Sequence, residues 1–293
     1  MRQNKNLLIT LLILILVPIA IIFNDSIPAK AMLCEFDVIS DSHIISDPKD
    51  TYNTYNETNA DKRLITALNS IRLSHPDSDC IVINGDVVDD NHSYRHLYLL
   101  LKKYVSQHPD VPYIYFNIGN HEFNEGSYGN HYNAPKQNYT NNLKIFNSEI
   151  YKISNLIKPK KWITTYQENG FSRNNSYDLQ YINGKNRRML FLGTDAIMDD
   201  PCEAIFYSSQ SNFLTNMVNQ SSTQNGPMFM FLHQPLYHTT YGSYDEPGGF
   251  KNGYLEPNQS QYVKNILNGH SEIILFTGHD HVAFSSSNSD PWN

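Results

Sequence analysis

Five short groups of carboxylate, imidazole and amide residues are spaced along the chain, each after an apolar segment. The groups are Asp41-Ser42-His43, Gly85-Asp86, Gly119-Asn120-His121-Glu122, His233 and Gly278-His279-Asp280-His281. Together they offer enough oxygen and nitrogen donors, without a thiolate, to bind two divalent cations about 3.5–4 Å apart, the spacing found in two-metal hydrolytic sites. The chemistry that this donor set predicts is hydrolysis of a phosphoester.

The residue types in these groups fit metal coordination. Asp41 and His43 are separated by one residue and would point the same way in an extended chain, so both would bind one metal ion. Asp86 has two carboxylate oxygens and is the natural bridge between two ions. The further donors are an amide oxygen and imidazoles, from Asn120, His233, His279 and His281. Such ligands suit Mn, Fe, Zn or Mg, and the sequence does not select one of these metals.

The apolar, β-rich segments before these groups are predicted to be strands, with the metal site at their carboxyl ends. The predicted strands span residues 35–40, 80–84, 111–118, 177–182, 189–194, 228–232 and 272–276. Apolar residues at helical spacing predict helices over residues 60–75, 97–105, 142–153, 210–219 and 259–267. This alternation predicts an α/β fold with central mixed β-sheets flanked by helices.

Residues 123–185 interrupt the alternation with a segment rich in Asn, Tyr and Gly. Long segments of this kind often serve as lids or binding loops, so we predict an insertion that overhangs the site. The sequence has no internal repeat and no linker. Residues 32–293 are therefore predicted to form one catalytic domain.

The first 31 residues are predicted to lie outside this domain. Arg2 and Lys5 precede an apolar run over residues 7–23, and Ala29-Lys30-Ala31 forms an A-x-A cleavage pattern. This pattern predicts a signal peptide, residues 1–31, and a secreted or extracytoplasmic protein. The run is also close to the length of a spanning helix, so the alternative is an uncleaved anchor that holds the protein at a membrane through residues 7–23.

The formal net charge of −7 argues against a nucleic-acid scaffold, which normally has a basic face. It is compatible with a phosphate substrate, because bound dications reverse the local field. Of the three cysteines, Cys80 opens a predicted buried strand and is expected to be a small core residue. A disulfide between Cys34 and Cys202 stays open, since nothing in their spacing supports it.

Taken together, the five groups resemble the conserved blocks of the calcineurin-like metallophosphoesterase family. The family's D-x-H, G-D, G-N-H-E, H and G-H-x-H blocks occur here in order, over residues 36–283. The first two blocks are weak signals alone, whereas G-N-H-E is fairly specific. The resemblance implies a metallophosphoesterase-type sandwich of β-sheets and an enzyme that hydrolyses phosphoesters.

The resemblance also assigns roles to residues. One metal would be held by Asp41, His43, Asp86 and His281, and the other by Asp86, Asn120, His233 and His279. A hydroxide between the metals would attack phosphorus in line, and His121 would donate a proton to the leaving oxygen. Asp89 stands where phosphoprotein phosphatases of the family have an aspartate that orients this histidine, so we predict an Asp89–His121 pair.

Departures from the family pattern narrow the range of substrates that the resemblance implies. Phosphoprotein phosphatases have Arg-Gly where this chain has Asp90-Asn91, and purple acid phosphatases have a metal-bound tyrosine where Asp89 stands. The second domain of secreted 5′-nucleotidases has no counterpart here. The chain ends about a dozen residues after His281, where relatives usually continue with strands. Either other elements complete the sheet or these strands are missing.

The predicted function is that of an exported, metal-dependent phosphoesterase acting on a small phosphomonoester or phosphodiester. One alternative is a phosphodiesterase specific for lipid head groups or nucleotides. Another is a non-catalytic surface-binding protein with a degenerate hydrolase fold. The sequence leaves the native substrate, the metal and the oligomeric state open.

Overall fold

Two β-sheets pack face to face between two layers of helices. The structure, a computed structural model, describes residues 35–51, 54–123, 136–157, 163–167, 177–181, 188–197, 203–221, 227–240, 242–243 and 253–281. The first sheet is parallel, with β1 (Phe36–Ile39), β2 (Cys80–Asn84) and β3 (Tyr113–Asn117) in that order. Five further strands form the second sheet, namely β4 (Ile163–Gln167), β5 (Tyr177–Tyr181), β6 (Arg188–Leu192), β9 (Met228–Leu232) and β10 (Ile273–Phe276).

The second sheet is mixed, with its strands in the order β10-β9-β6-β5-β4. Strands β6, β9 and β10 run parallel to one another, whereas β4 and β5 are antiparallel additions. A short antiparallel pair, β7 (Ala196–Ile197) and β8 (Ala204–Ile205), follows β6. The helices are α1 (Asn59–Ser74), α2 (Tyr94–Gln107), α3 (Lys136–Ser154), α4 (Ser208–Ser221) and α5 (Pro257–Gly269).

Alternate side chains of each strand face opposite sides of the sheet, so each sheet contributes to two apolar layers. On β2, Ile81 and Ile83 belong to the cluster that the helices α1, α2 and α3 form with the first sheet. On β9, Met228, Met230 and Leu232 belong to a second cluster with α4 and α5. Because neighbouring residues of a strand face opposite ways, the intervening side chains of both strands face the space between the sheets.

Aromatic rings fill much of the space between the two sheets. Phe36 of β1 contacts Phe229 of β9, with ring centroids 4.7 Å apart, and Tyr115 of β3 contacts Phe191 of β6 at 6.1 Å. Large apolar rings gain much from burial, and edge-to-face contacts add to that gain. Cys80 at the start of β2 is buried, as expected for a small core residue.

The predicted α/β class, with mixed sheets flanked by helices, is confirmed. The bounds of β2 and β9 agree with the prediction, but strand β4 was missed. Within segment 123–185, α3 joins the helical layer of the first sheet, and β4 and β5 extend the second sheet. These three elements are thus integrated into the fold, and an overhang of the rest of the segment above the site stays a prediction.

Several predictions concern residues outside the described ranges. They include the signal peptide or anchor, both cysteines of the Cys34–Cys202 pair, and the chain after His281. In the part of the chain that the structure describes, no helix is both long and apolar enough to cross a membrane. The limits of the catalytic domain stay a prediction.

A buried histidine ties the loop before α1 to both α1 and α2. The Nδ1 atom of His96, on α2, lies 2.6 Å from Asp50 Oδ2, and its Nε2 atom lies 2.8 Å from Asp61 Oδ2. The same Asp61 oxygen accepts the backbone N–H of Thr58, the N-cap residue of α1. Burial alone lowers the pKa of His96, but the hydrogen bonds with Asp61 and Asp50 outweigh it and raise this pKa above 6.5.

Replacing this histidine should cost stability in a pH-dependent way. His96 has a raised pKa in the folded state, so its contribution is complete below 6.5, the unfolded value, and is lost as the pH rises through the folded value. His96→Gln is expected to lower the free energy of unfolding by about 3 kcal/mol near pH 6, because Asp61 stays buried without its partner. The loss should be smaller near pH 9.

Urea unfolding of the wild type and the variant at both pH values measures this difference. His92→Gln, at an exposed position on the same stretch of chain, is the matched control and should change little. An equal loss from His96→Gln at both pH values would contradict a charged His96 in the folded protein.

Candidate metal centre

The five chemical groups follow the carboxyl ends of β1, β2, β3, β9 and β10, as predicted. Backbone hydrogen bonds hold these loops together. The N–H of His43 donates to the carbonyl of Asp86 at 3.0 Å, which joins the loops after β1 and β2. The N–H of His279, after β10, donates to the Asp41 carboxylate at 3.2 Å and joins the two sheets at this end.

A first donor group consists of Asp41, His43 and His281. The Nε2 atoms of the two histidines are 3.0 Å apart, and His281 Nε2 lies 3.0 Å from Asp41 Oδ1. One ligand atom from each residue lies within 4.8 Å of the others. These are three of the four residues predicted to hold the first metal.

A second donor group consists of Asp86, His233 and His279, which are all buried. His233 Nε2 lies 3.0 Å from Asp86 Oδ2, and the same oxygen lies 3.9 Å from His43 Nε2 of the first group. Asp86 Oδ2 thus faces both groups, which is the position expected of a carboxylate that bridges two ions.

Two buried atoms provide a test of whether the site fits a metal. Asn120 Oδ1 has no hydrogen-bond partner among the described residues. His233 Nε2 faces the carboxylates of Asp86 and Asp41, at 3.0 and 3.7 Å, without the geometry of a hydrogen bond. A buried polar atom without a partner is costly, so such atoms need an explanation. His233 Nδ1 lies 2.7 Å from the carbonyl of Asn84, which holds this nitrogen as the donor and leaves Nε2 as a ligand atom. Both atoms belong to residues predicted to bind the second metal, so the donor set fits.

Mutual charge shifts the pKa values of the ligand residues. Burial raises the pKa of Asp41, but the charge of His233 and the hydrogen bond from His281 lower it to about 2. Burial also opposes ionisation of Asp86, yet His233 and His121 hold its pKa well below 3.8. Burial lowers the pKa of His233, and the charges of Asp86 and Asp41 raise it to about 10. The carboxylates are therefore ionised at neutral pH, as metal ligands must be, whereas the imidazole of His233 must lose a proton when a metal ion binds.

The predicted catalytic pair, His121 and Asp89, is in contact. His121 Nδ1 lies 3.3 Å from Asp89 Oδ1 and 3.1 Å from the carbonyl of Asp89. The Nε2 atom of His121 faces the donor groups, 4.0 Å from Asp86 Oδ2. Asp89 Oδ1 also lies 3.6 Å from His43 Nδ1, so one carboxylate orients a predicted ligand as well as the predicted acid. Sequence reasoning did not anticipate this second contact.

The backbone at the ligand residues differs from the extended chain that the D-x-H argument assumed. Asp41 and His43 have φ angles of 57° and 43°, in the left-handed region. Asp86, His279 and His281 also have positive φ. Non-glycine residues adopt this conformation rarely, and strained backbone of this kind concentrates at functional sites. Asp41 and His43 still reach one donor group, but through two left-handed turns.

Two glycines allow the loops to approach this closely. Gly85 has a φ of +89°, and a Cβ atom there would overlap the imidazole of His233. A Cβ atom on Gly119 would overlap the carboxylate of Asp86. Both glycines are therefore required by sterics, and Gly85 also by its left-handed backbone.

Glu122, the last residue of the G-N-H-E block, is a buried anchor for which sequence reasoning assigned no role. Its carboxylate accepts backbone N–H groups at 2.6–3.2 Å, from Gly119, Asp86, Val87 and Val88. It therefore fixes the loop after β3 to the loop after β2. Burial, and then the charge of Asp86, raise the pKa of Glu122 to about 7.

Replacing Glu122 should damage both stability and activity. Glu122→Gln puts an amide N–H₂ where a carboxylate oxygen accepts two or more N–H groups, and unsatisfied buried donors cost about 1–3 kcal/mol each. We expect the free energy of unfolding to fall by about 3 kcal/mol. Denaturant unfolding measures this, with Glu57→Gln at an exposed position as the matched control. Equal stability of both variants would show that Glu122 does not anchor the loops.

Two buried asparagines were also missed. Asn84 and Asn117, the last residues of β2 and β3, lie opposite each other in register. Asn84 Nδ2 donates to the carbonyl of Leu232 at 3.1 Å, and Asn117 Nδ2 donates to Asn84 Oδ1 at 3.0 Å. They join the two sheets next to the donor groups. The available signal was an asparagine at the end of each apolar strand, shortly before a glycine of a predicted ligand loop.

The structure thus brings the predicted residues to one end of the sandwich. All of them except Asn120 belong to the two donor groups or to the His121–Asp89 pair. Asn120 directly precedes His121, and its carbonyl accepts the N–H of Phe123. Their individual roles as ligands and catalysts stay predictions.

Comparison with known proteins identifies the family. The family model described as calcineurin-like phosphoesterase matches residues 35–283. No curated protein matches the chain.

One similar solved structure is a dimetal phosphatase from Danio rerio, with 15% identity over 84% of this chain and 81% of that chain and a TM-score of 0.48. Another is a purple acid phosphatase from yellow lupin, Lupinus luteus, with 14% identity over 84% of this chain and 37% of that chain and a TM-score of 0.47. A third is a protein described as a 5′-nucleotidase from Staphylococcus aureus, with 15% identity over 86% of this chain and 46% of that chain and a TM-score of 0.44. Family membership rests on the family model, which spans most of the chain. The chain belongs to the calcineurin-like phosphoesterase family and is a phosphoester-hydrolysing enzyme.

Proposed function

We propose that this chain is an exported enzyme that hydrolyses a small organic phosphomonoester or phosphodiester with two divalent metal ions. The ions would be held by Asp41, His43, Asp86, Asn120, His233, His279 and His281. The observation that carries this proposal is the convergence of two donor groups on Asp86, whose Oδ2 atom lies within 4 Å of imidazoles from both.

When bound, the two ions would stabilise charge on the phosphoryl oxygens and activate a water nucleophile. The protein's own groups prepare the site for this. Asp86 and Glu122 fix the loops after β2 and β3, and the hydrogen bond from His233 Nδ1 to Asn84 directs Nε2 inward. These contacts hold the donors in place before substrate arrives, so little reorganisation is needed.

His121 is the proposed general acid. Its Nδ1 atom is engaged by Asp89, so its Nε2–H points towards the donor groups and towards a leaving oxygen bound there. Burial lowers the pKa of His121, but the charges and hydrogen bonds of Asp86 and Asp89 raise it to about 9. Without metal ions the imidazole is therefore protonated at neutral pH, and its contact with Asp89 would favour this state, which a proton donor needs, when the metals are bound.

Hydrolysis of matched aryl esters tests this proposal. The purified full-length chain is treated with a chelator and then assayed with p-nitrophenyl phosphate and bis-p-nitrophenyl phosphate after addition of Mn, Zn, Fe or Mg. Activity that the chelator removes and one metal restores is expected, and the ratio of the two rates separates a monoesterase from a diesterase. A folded, metal-loaded protein that cleaves neither ester would count against the proposed activity.

Export is a separate part of the proposal and has its own test. The apolar run over residues 7–23 and the Ala29-Lys30-Ala31 pattern support it. Fractionation of cells that express the chain, followed by N-terminal sequencing, should find a product that starts at Met32. An uncleaved product in the membrane fraction would favour the anchor, and a cytosolic one would contradict export.

A further inference from the structure

A cavity of about 810 Å³ opens beside the metal centre and continues along the start of helix α1. Its lining includes residues of the centre, namely Asp41, His43, Asp89, His121 and His281. The rest comes from the loop before α1 and the first turns of this helix, namely Ile45, Thr58, Asn59, Ala60 and Arg63. Ligand pockets commonly measure ~300–1,000 Å³, so this one has room for an organic group attached to the phosphoryl group.

Arg63 is the one lysine or arginine among the described residues that line this cavity. Its side chain is exposed and forms no ion pair within the described part of the chain. In contrast, Arg72 on the same helix lies 3.4 Å from Asp110, and Arg188 donates to the carbonyl of Met217. The guanidinium of Arg63 is therefore available to a ligand.

Three carboxylates, two that line the cavity and one in the first turn of α1, have partners other than Arg63. Asp61, in the first turn of α1, accepts the N–H of Thr58 at 2.7 Å and contacts His96 at 2.8 Å. Asp41 and Asp89, which line the metal end of the cavity, contact imidazoles of the centre. The amino end of α1, where Thr58, Asn59 and Ala60 line the cavity, adds a partial positive charge to this end of it. The cavity thus has a metal-binding end and, at α1, a cationic end.

We propose that Arg63 binds a second anionic group, a carboxylate or a phosphate, carried by the organic part of the substrate. This inference rests on the proposed function, because it takes the scissile phosphoryl group to lie at the donor groups. A guanidinium presents a planar fork of N–H donors that matches both anions. The favoured substrates are then organic phosphoesters with a negative charge on the side away from the scissile bond.

Three aryl phosphates test this inference. They are 4-carboxyphenyl phosphate, its neutral analogue 4-carbamoylphenyl phosphate, and 1,4-phenylene bisphosphate. If the enzyme cleaves only diesters, the same compounds are used with one methyl group on the scissile phosphate. The wild type, Arg63→Gln and Lys62→Gln are compared by the ratio of kcat/KM for each anionic substrate to that for the neutral one. Lys62 is exposed beside Arg63 but does not line the cavity, which makes it the matched control.

The wild type and Lys62→Gln should prefer an anionic substrate. Arg63→Gln should reduce this preference by about tenfold, mainly through a higher KM, because a charged hydrogen bond is lost. A larger effect on the bisphosphate than on the carboxylate would identify phosphate as the second anion. Thermal melting should be equal for all three proteins, since residues 62 and 63 are exposed.

Two failures are distinguishable. Hydrolysis without any anion preference, unchanged in Arg63→Gln, would overturn the role of Arg63 and leave the proposed function intact. A metal-loaded wild type that cleaves none of these esters, nor the p-nitrophenyl esters, would overturn the proposed function and this inference with it.

Discussion

Asp86→Ala is expected to lower kcat/KM by about 10³-fold or more and to release at least one metal ion. Losing a residue that only supports a metal ligand already costs 10–100-fold, and a shared ligand should matter more. A 10³-fold loss corresponds to about 4 kcal/mol of transition-state stabilisation. Asp86 Oδ2 faces both donor groups, so its removal disturbs both predicted metal positions at once.

Asp86 also has a structural role that the alanine variant alone would confuse with metal binding. Its Oδ1 atom accepts the N–H of His121 at 2.9 Å. Asp86→Asn keeps an oxygen for this hydrogen bond but removes the charge. If charge and metal bridging matter most, the asparagine variant should lose nearly as much activity as the alanine variant. If loop geometry matters most, the asparagine variant should retain much of the wild-type activity.

Metal content by elemental analysis and kcat/KM for p-nitrophenyl phosphate, measured on the same samples, check the prediction. Asp77→Ala, at an exposed position before β2, is the matched control and should keep the metal content and the kcat/KM of the wild type. Activity and metal content in Asp86→Ala equal to those of the wild type would exclude the predicted bridging role.

The sequence located the donors because each lies directly after a recognisable strand. Cys80–Asn84 and Met228–Leu232 are continuous apolar runs that end at a polar ligand loop, and both were predicted with their observed bounds. Parallel strands bring their carboxyl ends to one edge, so residues distant in sequence were expected to meet there. The local sequence pattern was therefore sufficient to predict the ligand residues that directly follow strands.

The parts that depend on contacts between distant loops were not predictable from local pattern. Glu122 is visible in its block, but its N–H donors include residues 86–88, more than thirty positions earlier. Asp and His tolerate the left-handed conformation better than most residues, but at Asp41 and His43 hydrogen bonds to the neighbouring loop hold it in place. Strand β4, Ile163–Gln167, consists largely of β-branched and aromatic residues, but it lies in the segment interpreted as an insertion and pairs with β5 at the edge of the sheet.

His121→Ala should slow the hydrolysis of esters with poor leaving groups far more than that of esters with good ones. A phenolate that leaves easily needs little protonation in the transition state, whereas an alkoxide or unsubstituted phenolate needs much. General acid catalysis is typically worth 10²–10⁴-fold, so a loss of about 10³-fold is expected for phenyl phosphate. For p-nitrophenyl phosphate the loss should be about tenfold or less.

A plot of log kcat/KM against leaving-group pKa over a series of aryl phosphates measures this effect. The slope should be steeper for His121→Ala than for the wild type, and His92→Ala, exposed and outside the centre, should keep the wild-type slope. Parallel lines would instead assign His121 a positioning role, because a residue that only positions substrate affects all leaving groups alike.

Asp89→Asn distinguishes these roles further. Asp89 contacts the Nδ1 atoms of both His121 and His43, so its loss touches a predicted ligand as well as the predicted acid. If orientation of the acid dominates, Asp89→Asn should steepen the slope in the same direction as His121→Ala, but less. If its contact with His43 dominates, all esters should slow equally and metal content should fall. The slope of one variant and the metal content of the same sample thus separate proton donation from metal binding in a residue that serves both.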